Sequence, residues 1–61
     1  MDFEIKLVDG STYNLNEQEF KDTRDLMDSD ATCIEVNCYI VDDRYELFLP
    51  KSSILYIRQV L

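Results

Sequence analysis

Phe3, Ile5 and Leu7 alternate with Asp2, Glu4 and Lys6 at the head of the chain. A repeat of two puts the apolar members on one side of an extended segment, so a half-buried strand is predicted there. Val8-Asp9-Gly10 then leads into a second extended stretch, Ser11-Thr12-Tyr13-Asn14-Leu15. Loop length decides which side chains meet. A two-residue Asp9-Gly10 loop sets Tyr13 opposite Lys6 and Leu15 opposite Glu4, splitting the apolar groups between faces. A three-residue Val8-Asp9-Gly10 loop pairs Leu7 with Ser11, Ile5 with Tyr13 and Phe3 with Leu15. Every large apolar group then shares one face, and the only glycine takes the left-handed position of a type I turn with a bulge. The three-residue loop is therefore predicted.

The period changes after Leu15. Asn16 is a favourable helix N-cap, and Glu19 stands three residues on, the spacing of a capping box. Leu15 and Phe20 match a hydrophobic staple, and Glu17 and Glu19 suit the positive end of the helix dipole. A helix is predicted from Glu17 to about Asp28, its narrow apolar stripe made of Phe20, Thr23 and Met27 with Leu26 at the margin. So short and polar a helix must lean on a sheet or a partner.

Thr32 to Val41 reads as a strand. Ile34, Val36, Cys38 and Ile40 lie on one side, and Cys33, Glu35, Asn37, Tyr39 and Val41 on the other. An Asp42-Asp43 turn would pair Ile40 with Tyr45, Cys38 with Leu47 and Val36 with Leu49. Pro50 lacks an N–H for a ladder and ends this strand. Lys51-Ser52-Ser53 is a tight turn of one 3₁₀ repeat, and Ile54 to Val60 is the last strand. The predicted class is α+β, a small β-rich single domain over residues 1–61, with element order β-β-α-β-β-β. The expected shape is a strongly bent antiparallel sheet or small open barrel. The end of the chain (a strand hairpin, Pro50-Lys51-Ser52-Ser53 as a short turn, then Ile54 to Val60 closing against an early strand) resembles SH3-like and Sm-like barrels in layout. It departs from the Sm pattern, which begins with its helix and carries a basic, aromatic nucleic-acid surface.

Composition narrows the functions. The chain has 61 residues, with 13 acidic and 6 basic side chains, no histidine and a net charge of −7. A chain of this size buries only about 60% of the surface its unfolded form exposes, so its core is thin. The charge opposes direct binding to nucleic acid or anionic lipid. Without histidine there is no imidazole for acid–base catalysis or metal ligation. At 46% hydrophobic, with four Tyr and three Phe, the composition is that of a folded chain rather than a disordered acidic tail. No apolar run approaches the roughly 20 residues of a membrane span. The acidic Met1-Asp2-Phe3-Glu4 is unlike the basic opening of a signal peptide. A soluble, cytoplasmic protein is expected.

Candidate chemistry is sparse. Cys33 and Cys38, five apart on a strand, point to opposite faces about 16 Å apart, beyond the roughly 7 Å that a disulfide spans. They are expected to be free thiols acting as small hydrophobes. Ser52 and Ser53 have only Lys51 beside them in sequence, with no base held by a third group. Asp28-Ser29-Asp30-Ala31-Thr32 opens like a calcium loop, but Cys33 and Tyr39 stand where an EF-hand needs Gly and Glu. No enzyme, cofactor or metal is expected.

What remains is surface. Residues 17–30 hold six carboxylates (Glu17, Glu19, Asp22, Asp25, Asp28, Asp30) against Lys21 and Arg24, a net −4. Asp22, Asp25 and Asp28 recur about every 4.5 Å along a helix axis. Side-by-side like charges cost a little stability. The row fits a surface kept negative for a basic partner, and it fits ordinary solubility equally well. The last strand does not alternate: Ile54, Tyr56 and Val60 fall on one face, and Leu55, Ile57 and Leu61 on the other. Either the helix and chain ends cover this surplus in a monomer, or a self-complementary two-fold interface does. A homodimer or higher oligomer is expected, with Leu55, Tyr56, Ile57 and Leu61 at the interface. In size, acidity and economy the chain resembles the small inhibitors that bacteriophages encode against host enzymes and defence systems, some of which mimic nucleic acid. That resemblance implies an inhibitor or adaptor docking on a basic surface of a host protein. Glu19, Asp22, Asp25, Asp28, Tyr39 and Phe48 are its candidate contacts. The alternatives are an oligomeric ligand-sequestering protein, its pocket lined by Tyr39, Tyr45, Tyr56 or Arg58, and a structural subunit of a larger assembly.

Overall fold

The structure, a computed structural model, describes residues 2–60. Its elements are β1 (Phe3–Leu7), β2 (Thr12–Leu15), α1 (Glu17–Met27), β3 (Cys33–Ile40), β4 (Asp43–Pro50), a 3₁₀ turn (Lys51–Ser53) and β5 (Ile54–Gln59). The five strands form one open antiparallel sheet in the order β4-β3-β2-β1-β5. The predicted class and element order hold, and the last strand does close against an early one, β1.

The first hairpin follows the three-residue loop. Phe3 pairs with Leu15 and Ile5 with Tyr13, and the Leu7 N–H donates to the Ser11 carbonyl at 2.9 Å. Gly10 sits at φ 95°, where a side chain would be strained. The Asp9 carboxylate accepts the Ser11 N–H at 2.8 Å and closes the loop. That bond holds the Asp9 carboxyl below its ordinary range.

The second hairpin differs from expectation. Its loop is Val41-Asp42, and β3 pairs with β4 from Cys33↔Pro50 to Ile40↔Asp43. The register has moved by two residues, which leaves every side chain on its predicted face. Packing decides between the two. The expected register would set Ile34 opposite Lys51, whereas the observed one sets Ile34 opposite Leu49 and Val36 opposite Leu47. Ile34 and Val36 are fully buried, and Leu47 and Leu49 pack against them. The cost falls on Val41, a β-branched residue held at φ 56°.

The core is the inner face of the sheet: Ile5, Leu7, Leu15, Ile34, Val36, Cys38 and Ile54. α1 lies over it, packing on β3, β1 and β2. Phe20 stacks on Phe3 with ring centroids 4.6 Å apart, Thr23 is buried, and Met27 joins the cluster. These three sit three and four residues apart, the spacing of one helix face. Leu26 falls outside this stripe and is exposed. The predicted capping box is present: the Glu19 N–H donates to Asn16 Oδ1 at 2.8 Å, and the Asn16 N–H donates to Glu19 Oε1 at 3.1 Å. The 3₁₀ turn is tied to the loop before β3, where the Lys51 N–H donates to the Thr32 carbonyl and its ammonium to Ser29 O.

β5 is not a regular strand with two apolar faces. Lys6 pairs with Tyr56 but Leu7 pairs with Ile54, so Leu55 is an extra, bulged residue. The bulge resets the alternation. Ile54 and Ile57 both reach the inner cluster, Tyr56 turns to the opposite face, and Leu55 is pushed outward, 57% exposed. The sequence pattern therefore records a bulge where it suggested a strand covered on both sides.

The strain at Val41 yields a prediction. Positive φ costs an ordinary L-residue about 1–2 kcal/mol, and glycine, favoured at the first position of a turn with positive φ only there, is free of that cost. Val41→Gly should raise the urea midpoint of unfolding, equivalent to about 1 kcal/mol. An unchanged or lower midpoint contradicts strain at this turn.

Candidate protein-binding surface

α1 positions the acidic row. With Phe20, Thr23 and Met27 turned inward, a repeat of 3.6 residues per turn sends Asp25 almost directly outward and leaves Asp22 and Asp28 flanking it. All three are exposed. Asp22 accepts a hydrogen bond from Gln18 Nε2 at 2.9 Å, and Glu17 pairs with Lys21 at 3.6 Å. Among the described residues no ion pair engages Asp22, Asp25 or Asp28. Their charge is directed at solvent.

Glu19 and Tyr39 are brought together, but for the fold. One Glu19 oxygen completes the helix cap, and the other accepts the Tyr39 hydroxyl at 2.9 Å. This bond raises the Tyr39 pKa above its ordinary value. A single carboxylate thus fastens the start of α1 to β3. Phe48 is elsewhere, on β4 beyond β3, paired with Glu35 and 73% exposed. Leu26 is the residue that sequence patterning underrated. It is exposed and stands four positions after Asp22, next to it on the helix surface. Its only signal was its place at the edge of the apolar stripe.

The β5 set divides. Leu55 is exposed, Tyr56 and Ile57 are half-buried with Ile57 against the core, and Leu61 lies outside the described residues. The tyrosines and Arg58 do not converge. Tyr45 meets the Tyr13 ring edge-on at 5.8 Å, and Arg58 lies 5.1 Å from the Tyr56 ring centre while bound to Glu4. A surface depression at the start of β1 is lined by Asp2, Phe3, Asn16, Glu17 and Gln59, and includes none of Tyr39, Tyr45, Tyr56 and Arg58. Among the described residues, no group of three His, Cys, Asp or Glu side chains is placed to hold a metal ion. Among the described residues, no helix is long and apolar enough to cross a membrane.

Both cysteines are free. Cys38 is buried in the core with its sulfur 3.8 Å from the Tyr45 carbonyl oxygen, and Cys33 is half-buried on the opposite face of the same strand. Burial, aided by the Glu19 charge, pushes the Cys38 thiol up to about 11. Compared with family models, curated proteins and solved structures, the chain matches none.

The Cys38 thiol sets a pH dependence. The unfolded chain loses this proton from about pH 9, while the folded chain keeps it to about 11. The folded state then binds more protons, so stability should fall as pH rises between those values. Iodoacetamide at pH 8 should label Cys33 well before Cys38. Equal labelling rates, or a Cys38→Ala variant with the same alkaline loss of stability, would contradict this assignment.

Proposed function

We propose that this chain is a small acidic protein-binding inhibitor or adaptor that docks α1 on a basic surface of another protein and blocks it without chemistry of its own. The observation that carries this reading is the unpaired outward row Asp22, Asp25 and Asp28 on a helix fixed at both its cap and its inner face. A carboxylate about every 4.5 Å along the axis is comparable with one phosphate charge per about 3.4 Å of a DNA strand. Proteins of a bacterial host that handle nucleic acid or act in phage defence present surfaces suited to such a row. The resemblance in kind to phage-encoded inhibitors, and an action in the cytoplasm, belong to the same proposal.

Charge steers the encounter and is screened by salt. Exposed ion pairs contribute only about 0–1 kcal/mol each. Residence on the partner therefore depends on apolar contact beside the row, which Leu26 and the half-buried Tyr39 ring supply.

The immobilised chain should capture a basic protein from bacterial lysate at low salt. With that protein in hand, the variant carrying Asp22→Asn, Asp25→Asn and Asp28→Asn should associate more slowly and with a flatter salt dependence, while its circular dichroism is unchanged. Leu26→Ala should instead speed dissociation. Association of the triple variant at the wild-type rate in low salt would reduce the acidic row to a solubility device.

A further inference from the structure

The open sheet has two free edges, and they are not equivalent. β5 is bulged at Leu55, a device that blunts an edge against strand addition. β4 has no such break: eight consecutive residues keep register with β3. It also carries exposed apolar groups, with Phe48 73% and Tyr45 39% exposed. A long regular edge with exposed aromatics is a template for another strand. We propose that a second copy of this chain adds to β4, edge to edge and antiparallel, about a two-fold axis passing beside Leu47.

The ladder fixes what the edge offers. The closing pair of a two-residue hairpin, here Ile40 and Asp43, exchanges hydrogen bonds, and bonded positions then alternate. Asp43, Tyr45, Leu47 and Leu49 therefore bond to β3, while Arg44, Glu46 and Phe48 turn their N–H and C=O groups outward. Pro50 shares their parity, so its missing N–H falls on the outer side, and the end pair that an added strand makes with Pro50 lacks one hydrogen bond.

A two-fold axis normal to the sheet can pass beside several residues, among them Tyr45, Glu46 and Leu47. Centring on Glu46 opposes two carboxylates. Centring on Tyr45 overlaps the strands only from Asp43 to Leu47, sets Asp43 against Leu47 and leaves Phe48 beyond the paired strands. Centring on Leu47 overlaps Arg44 through Pro50. Leu47 then meets Leu47, Tyr45 of each copy meets Leu49 of the other, and both inner faces continue without a break. On the outer face Glu46 lies opposite Phe48, and Arg44 lies diagonal to Phe48, within range of its ring. Charge opposes this edge little. Residues 43–50 carry Asp43 and Glu46 against Arg44, a net −1, whereas residues 17–30 carry −4. A second copy is repelled less at β4 than at α1.

Sedimentation or light scattering of the full chain at about 100 µM should give twice the 7.2 kDa chain mass. Phe48→Lys, which alters an exposed residue, should give the single-chain mass with unchanged circular dichroism. Leu55→Lys on β5 should remain double. Across the two-fold axis Leu47 forms a non-hydrogen-bonded pair with Cα atoms about 4.5 Å apart, inside the range of a disulfide. Leu47→Cys should therefore cross-link two chains on oxidation. A single-chain mass at this concentration, a Phe48→Lys variant that stays double, or dissociation by Leu55→Lys would overturn the proposal. Capture of a basic partner by α1 is read out separately and does not depend on it.

Discussion

The contact between α1 and the inner face of the sheet is the constraint on which the other features rest. Phe20 on Phe3, with Thr23 and Met27 beside it, closes a core that the strands alone leave open on one side. A helix of 11 residues with so polar a composition is marginal in water. It persists because Phe20, Thr23 and Met27 are spent on the sheet and its first turn is capped from both directions. Glu19 extends that fastening by accepting the Tyr39 hydroxyl. The acidic row is therefore presented on a fixed body rather than on a fraying segment.

A chain this small has one core, and the bulge at Leu55 shows how closely the strands are fitted to it. By inserting one residue, β5 brings both Ile54 and Ile57 to the inside. The face left behind is polar and locally paired, with Glu4, Arg58 and Tyr56 in contact across β1 and β5. The bulge also spoils β5 as an edge. The remaining edge, β4, keeps a full ladder and its exposed aromatics, so two distinct surfaces emerge: a charged helix and an unsatisfied strand.

Much of this was legible in the chain. The loop around Gly10 could be chosen from the side chains it brought together, because a change of one residue moves them between faces. The β3–β4 register could not be chosen so, because a shift of two leaves the faces intact. The observed register gains the match of Ile34 to Leu49 and gives up that of Ile40 to Tyr45, and it requires a valine at positive φ that no local preference favours. The bulge left a trace, the failed alternation of Ile54 to Ile57, but the trace fits a doubly covered strand equally well. At the candidate surface, the outward turn of Asp22, Asp25 and Asp28 followed from helix geometry. The use of Glu19 and Tyr39 by the fold did not, because the bond joins residues twenty apart. The exposure of Leu26 was set by how α1 rolls on the sheet.

If α1 is held by the sheet in the way its contacts imply, it should not open independently of the strands. Native-state hydrogen exchange measures this directly. The amides from Phe20 to Met27 should exchange with the same free energy as those of Val36 and Cys38 in β3, near that of global unfolding. Exchange of the helix through a separate, low-energy opening while β3 stays protected would contradict a helix fixed by its inner face.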